Sequence, residues 1–153
     1  MEYGVEIDFI VSDSLGALTL YEKIFEVERV EVSDLPLGEN EAVFTIYGTR
    51  FHMLDENPEF QLYAPKEGHA ITQWINVSVP DIHATYAQAM EAGCTEVQPV
   101  VDLPDYGVSN ASFMDPYGYH WMLHQIHEEV SHEERIRLWE ESKDKGNRKY
   151  SDF

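Results

Sequence analysis

The stretch Val5-Glu6-Ile7-Asp8-Phe9-Ile10-Val11-Ser12-Asp13-Ser14 decides the reading of this chain, because residues 77–82 repeat its shape as Val77-Ser78-Val79-Pro80-Asp81-Ile82. In the first copy Val5, Ile7, Phe9 and Val11 alternate with Glu6, Asp8 and Ile10, the period of a half-buried strand. Ser12-Asp13-Ser14 then offers helix N-caps. Leu15, Leu18, Tyr21, Ile24 and Phe25 follow at spacings of three and four, one face of a helix. Further strands are expected over 28–32, 41–47 and 50–54, with turn chemistry at 34–40 and Gly48-Thr49. Residues 55–68, with two prolines and a glycine, read as a linker.

The order then recurs. A strand is expected over 70–79, and a helix from Pro80-Asp81 to about Ala92, with Gly93 at its C′ position. Strands over 95–101, 109–114 and 119–125 follow, the last two joined by Asp115-Pro116-Tyr117-Gly118. Asp13 and Asp81 lie 68 residues apart, and His52 and Met122 lie 70 apart. The chain therefore reads as strand, helix, three strands, twice over, and a repeat of that length sets the architecture. Beyond it, residues 128–153 are charged, with Val130, Ile136, Leu138 and Trp139 as a patchy apolar set. A helix to about Lys145, ended by Gly146-Asn147, either docks on its own body through Trp139 or covers a partner subunit.

Charge narrows the functions. Lys+Arg is 10 against Asp+Glu 29, a net charge of −19, and residues 1–124 hold only four bases, Lys23, Arg29, Arg50 and Lys66. Nucleic acid and anionic membranes both need a basic face, so neither is an expected partner. The single cysteine, Cys94, excludes a disulfide framework or a cysteine-built zinc site within one chain. No apolar run has membrane-spanning length and residues 1–6 do not read as a signal peptide, so the cytoplasm is the expected location.

Strand parity points to a site. One side-chain set over the strands at 5–11, 50–54, 73–79 and 119–125 is wholly apolar: Ile7, Phe9, Val11, Phe51, Met53, Ile75, Val77, Val79, Trp121 and Leu123. It should form the core. The other set, mostly polar with apolar patches, mixes Glu6, Asp8, Ile10, Arg50, His52, Leu54, Trp74, Asn76, Ser78, His120, Met122 and His124. A plain solvated sheet face explains polar residues alone. Histidines, an indole, a thioether and an arginine together fit a cup that holds a small ligand better. Arg50 can pair with Glu6 or Asp8, or hold an anionic group of a ligand.

These motifs resemble the vicinal oxygen chelate superfamily, the glyoxalase I, bleomycin-resistance and extradiol dioxygenase relatives, and within it the PhnB-like branch. The resemblance rests on Phe9-Ile10-Val11-Ser12-Asp13 with Leu20-Tyr21-Glu22-Lys23-Ile24-Phe25, on Val77–Ile82 with Ala89-Met90-Glu91-Ala92-Gly93, and above all on Phe113-Met114-Asp115-Pro116-Tyr117-Gly118-Tyr119-His120-Trp121. It implies an α+β fold of tandem βαβββ modules (1–62 and 69–127 of one domain, 1–127) curled into a half-barrel cup, plus the C-terminal helix of the tail 128–153. It also implies a homodimer, whose cup in several members is built from both chains.

In metal-dependent members the ligands come from the first and last strand of each module. The matching positions are Glu6, His52, Trp74 and Met122. Indole cannot ligate and a thioether suits hard divalent ions poorly, so the usual set is half lost. No metal is expected; if one is held, Glu6 and His52 would be joined by His120 or His124. The leading expectation is a metal-free binder of a small molecule. Trp74 and Met122 would be its walls, and Arg50, Asn76, Ser78 and His120 its polar contacts. The alternative is a metal-dependent lyase or isomerase, or a metal-free variant in which Glu6 and His52 serve as catalytic acid and base. A third possibility is an interaction module working through its acidic surface and tail.

Overall fold

A computed structural model describes residues 3–144 of the chain. The expected order of elements is present. The first module is β1 (Ile7–Val11), α1 (Ser14–Ile24), β2 (Val27–Val32), β3 (Glu41–Ile46) and β4 (Thr49–Asp55). The second is β5 (Ile75–Ser78), α2 (Ile82–Glu91), β6 (Thr95–Leu103), β7 (Val108–Met114) and β8 (His120–Ile126), followed by α3 (His132–Asp144). Each module makes a four-stranded sheet, β1-β4-β3-β2 and β5-β8-β7-β6, with one parallel pair at β1–β4 or β5–β8. The fold is α+β with tandem βαβββ modules and a C-terminal helix, and the sheets remain two rather than closing into a barrel.

Two boundaries differ from the sequence reading. The strand expected over 70–79 is only Ile75–Ser78, and residues 70–74 belong to no strand. Their side chains are exposed, so no burial enforces a pleat there. The tail helix starts at His132 rather than near 128, where the Ser131 hydroxyl accepts from the Glu134 N–H, a local N-cap. Its expected end at Gly146-Asn147 lies outside the described residues.

The helices form where capping permits. Asp13, in an extended conformation, accepts from the Gly16 N–H at 3.1 Å, and Asp81 accepts from the Ala84 N–H at 3.1 Å. Both helices thus begin one residue after an aspartate that satisfies an orphan donor. Gly93 follows α2 at φ +101°, a left-handed position that a glycine takes without strain.

One continuous core lies between the sheets and helices. Val11, Met53, Trp121 and Leu123 from the expected apolar set are fully buried in it, together with Leu18 and Tyr21 of α1 and Ile82 of α2. Ile7 is the exception, half exposed at the start of β1. The modules meet through aromatic rings: Trp121 lies 5.0 Å from Tyr21 and 5.0 Å from Phe25, and Tyr119 lies 5.0 Å from Phe9. At this seam Asp115 accepts from the Tyr21 hydroxyl (2.6 Å), the Trp121 indole N–H (2.8 Å) and the Tyr117 and Tyr119 N–H groups. The Tyr119 hydroxyl reaches back to β1, donating to the Ile10 carbonyl at 2.7 Å. Because both sheets turn their apolar faces to this shared core, each polar face looks away from it.

Candidate functional site

The polar faces carry two separate groups. On the first sheet, β1 runs parallel to β4 with Asp8 opposite His52. Glu6, just before β1, comes level with Arg50, two residues earlier in β4. The Arg50 Nε donates to Glu6 Oε2 at 2.5 Å. This guanidinium contact holds the exposed Glu6 carboxyl below its ordinary range, against the opposing effect of desolvation. His52 Nδ1 lies 3.2 Å from Glu6 Oε1 and 3.3 Å from Asp8 Oδ2, and its Nε2 lies 2.9 Å from Glu41 Oε2. Glu6 and His52 are therefore together, as their matching positions imply. Asp8 and Glu41 complete a ring of three carboxylates around the imidazole.

On the second sheet, the outer face of β5, β8 and β7 forms the floor of a half-open cavity of about 1080 Å³, and the start and inner side of α3 form its roof. Trp74, Asn76, Ser78, Met122 and His124 line the floor; Val130, Ile136 and Trp139 line the roof. The α3 helix has no buried residue of its own, so its apolar side chains face a hollow rather than a packed surface. Gly107 (φ +67°) accepts the His127 and Glu128 N–H groups at its carbonyl. A Cβ there would come within 2.2 Å of the Glu128 carbonyl oxygen. Only a bare backbone allows the chain to leave β8 at this angle and cross over the cavity.

His124 Nδ1 bonds the Asn76 amide oxygen at 2.6 Å, and burial lowers the pKa of the ring. His120 lies elsewhere. Its ring packs edge-on to Trp74 at 5.4 Å, is 8% exposed, and has both nitrogens without a hydrogen-bond partner. It lines a second hollow of about 920 Å³ between residues 63–73 and the turn 115–119. Burial again lowers the pKa.

The structure thus gathers Trp74, Asn76, Ser78 and Met122 of the expected site into one cavity and adds His124. Glu6, Arg50 and His52 sit on the other sheet and His120 in the neighbouring hollow. The sequence reading missed Glu41 as a partner of His52 and the α3 roof. Parity had already put Asp8 on the right face. The spacing of Val130, Ile136 and Trp139 was the signal for the roof, but a stripe does not say what it covers. Two further nucleophile candidates are structural. Cys94 is buried, and its thiol pKa is pushed up to about 12 by burial. Ser109 is buried between Asp102 (2.5 Å) and His127 (2.8 Å), with the carboxylate bonded to the serine rather than to the imidazole.

A family model, Glyoxalase/Bleomycin resistance protein/Dioxygenase superfamily, matches residues 5–123, and the chain belongs to this superfamily. An uncharacterised protein of Mycobacterium bovis is 28% identical over 134 residues, covering 82% of this chain and 84% of its own. Among solved structures, the fosfomycin resistance protein FosX of Listeria monocytogenes, complexed with Mn(II) and 1S,2S-dihydroxypropylphosphonic acid, superposes with a TM-score of 0.64 at 17% identity. The match covers 91% of this chain and 99% of that one. TioX of Micromonospora sp. ML1 gives 0.61 at 18% identity (82% and 99% covered), and the PhnB protein of Bacillus cereus 0.59 at 15% (80% and 99%). At these identities the structures share the fold.

Metal is common in the superfamily, and the first sheet carries a donor set of the kind that could hold one. Glu6, Asp8 and His52 each offer a ligand atom, all within 4.8 Å of one another. Two carboxylates and an imidazole suit a divalent ion of the manganese or iron kind, and three protein ligands are the usual catalytic number. The set fits, although Arg50 and Glu41 already occupy a Glu6 oxygen and His52 Nε2. Neither His120 nor His124 belongs to that group.

Proposed function

We propose that this chain is a small-molecule-binding protein of the PhnB-like branch, holding its ligand without metal between the second sheet and α3. The observation that carries the reading is the cavity of about 1080 Å³, of a size for a small organic molecule, where Trp74 and Met122 face Trp139 beside the His124–Asn76 pair. Apolar walls with a few convergent polar groups suit ligand capture, since the walls supply burial and the polar groups set orientation. The PhnB protein among the structural neighbours supports the branch. The chain would act in the cytoplasm as a homodimer. Supporting this, β5 pairs as a strand only with β8 among the described residues, leaving its other edge open to a second copy, while the outer edge of β1 is taken at Ile10 by the Tyr119 hydroxyl.

The test is Nile red, a neutral dye whose emission rises in apolar surroundings. Wild-type protein should take it up saturably, with no response to chelator. Ile136→Arg, on the solvent-reachable roof, should lose the uptake without loss of fold. Absence of saturable uptake, or uptake unchanged in that variant, would overturn the reading.

A second reading, a metal-dependent lyase or isomerase, is favoured by the Glu6–Asp8–His52 group. A bound ion would polarise the vicinal oxygens of a substrate. Glu6, Asp8 and His52 would hold it and Arg50 would keep Glu6 ionised. About one equivalent of metal in purified wild-type protein, lost in His52→Ala, would establish this reading.

A further inference from the structure

From the His124–Asn76 pair we infer that the cavity under α3 is built for a flat aromatic molecule bearing a hydroxyl group, a neutral phenol, whose O–H donates to His124 Nε2. The inference rests on the binding-protein reading above and names the ligand class for that cavity.

The argument starts from a tautomer. The Asn76 amide oxygen can only accept, so the hydrogen at the 2.6 Å contact belongs to His124 Nδ1. An uncharged imidazole has one N–H, which leaves Nε2 as a lone-pair acceptor. No carboxylate forms an ion pair with this ring among the described residues, and burial favours its neutral form. Nε2 is not among the sealed-off atoms, and it bonds no protein group among the described residues. His124 lines the cavity, so the cavity contains a fixed acceptor that asks for a donor.

The two nearest amide oxygens are each already engaged by one donor, so His124 Nε2 is the acceptor here without a protein partner among the described residues. Asn110, opposite His124 across β7, has its oxygen bonded by the Gln98 amide N–H at 2.7 Å, and the Asn76 oxygen is held by His124 itself.

The walls give the rest of the ligand. Trp74 and Trp139 present ring faces or edges, and Met122 is a polarisable floor that packs well against aromatic rings. Glu128 and Glu129 line the cavity together with Arg135 and His132, so its charged lining is mixed; the hydroxyl is the fitting group because a carboxylate or phosphonate ionised at neutral pH has no proton to give to His124 Nε2.

Equilibrium dialysis of the full-length protein at neutral pH tests this with three probes of one ring system: 2-naphthol, 2-methoxynaphthalene and 2-naphthoate. The naphthol should bind at least tenfold more tightly than its methyl ether, and the naphthoate more weakly than either. In His124→Leu the naphthol should fall to within twofold of the ether, whose own affinity stays put. Asn76→Leu, which frees the tautomer, should shrink the preference while the ring remains. Equal binding of naphthol and ether by the wild-type protein would overturn the inference without any variant, and so would a preference for naphthoate. Uptake of Nile red with no naphthol preference would reject the acceptor and keep the cavity. Failure of all three probes and of Nile red would reject both.

Discussion

Tyr21→Phe tests how the two modules are held together. The substitution removes one hydroxyl and keeps the ring, which lies 5.0 Å from Trp121 and 6.3 Å from Phe44. What is lost is the 2.6 Å bond from α1 of the first module to Asp115 of the second. Asp115 is 3% exposed and keeps three donors, the Trp121 indole and two backbone N–H groups. Removing a hydrogen bond to a buried charged acceptor costs about 2 kcal/mol, and one to a neutral acceptor about 1 kcal/mol.

The size of the effect depends on pH. Burial raises the Asp115 pKa above its ordinary value, outweighing the four donors, which pull it down. A raised carboxyl contributes stability that is complete below the unfolded pKa of about 3.9 and is lost as pH rises through the folded value. The Tyr21 hydroxyl favours the charged form, so its removal lifts the folded pKa further and costs most once Asp115 is ionised. Urea unfolding of wild type and variant should therefore give a difference of about 2 kcal/mol at pH 7.5 and about half that at pH 4. With a slope of roughly 2 kcal/mol/M for a chain of this size, the midpoint moves by about 1 M at the higher pH. A difference under ~0.5 kcal/mol at pH 7.5, or one equal at both pH values, would refute the assignment of a charge-assisted bond at the seam.

Other perturbations have equally definite signs. His120→Phe should stabilise the protein by about 1 kcal/mol, because two buried nitrogens without partners are removed. Its wild-type pKa is depressed, so stability present above about pH 6.5 is lost as pH falls toward the folded value. The variant should flatten that limb in a melting-temperature series from pH 7.5 to 5. Asp55→Asn should destabilise by about 2–3 kcal/mol. Its carboxylate accepts the N–H groups of Ser14, Gly38 and Asn40, and these outweigh burial and hold its pKa below the ordinary value. The wild-type advantage should therefore fade on acidification below about pH 4 in denaturant titrations. Gly107→Ala should disturb the exit toward α3, given the 2.2 Å approach to Glu128. Nile red affinity should drop severalfold while far-ultraviolet circular dichroism changes little; unchanged uptake would detach the roof from ligand binding. Mn(II) added to the wild-type protein should raise its melting temperature only if Glu6, Asp8 and His52 ligate it, and the rise should vanish in His52→Ala.

Much of this protein is legible in its residues because the deciding interactions are local. Asp13 and Asp81 cap helices three residues away, Gly93 ends one, and strand alternation assigns Phe9, Met53, Trp121 and Leu123 to the core. The same alternation put Glu6, Asp8, Arg50 and His52 on one face. Which of them touch is a matter of register between segments 44 residues apart, where Arg50 meets Glu6 and Glu41 reaches His52 from a third strand. Parity also placed His120, Met122 and His124 on one face, yet His120 lines a different hollow, between residues 63–73 and the turn 115–119, with its ring edge-on to Trp74. The elements, the two-fold repeat and the division into apolar and polar faces follow from the order of residues alone, since periodicity and capping act within a few residues. That the faces form two groups instead of one, and that α3 roofs the second, emerges from the packing of distant segments. Those facts depend on how two sheets pack on a shared core and on one backbone approach at Gly107, and neither leaves a periodic trace in the chain.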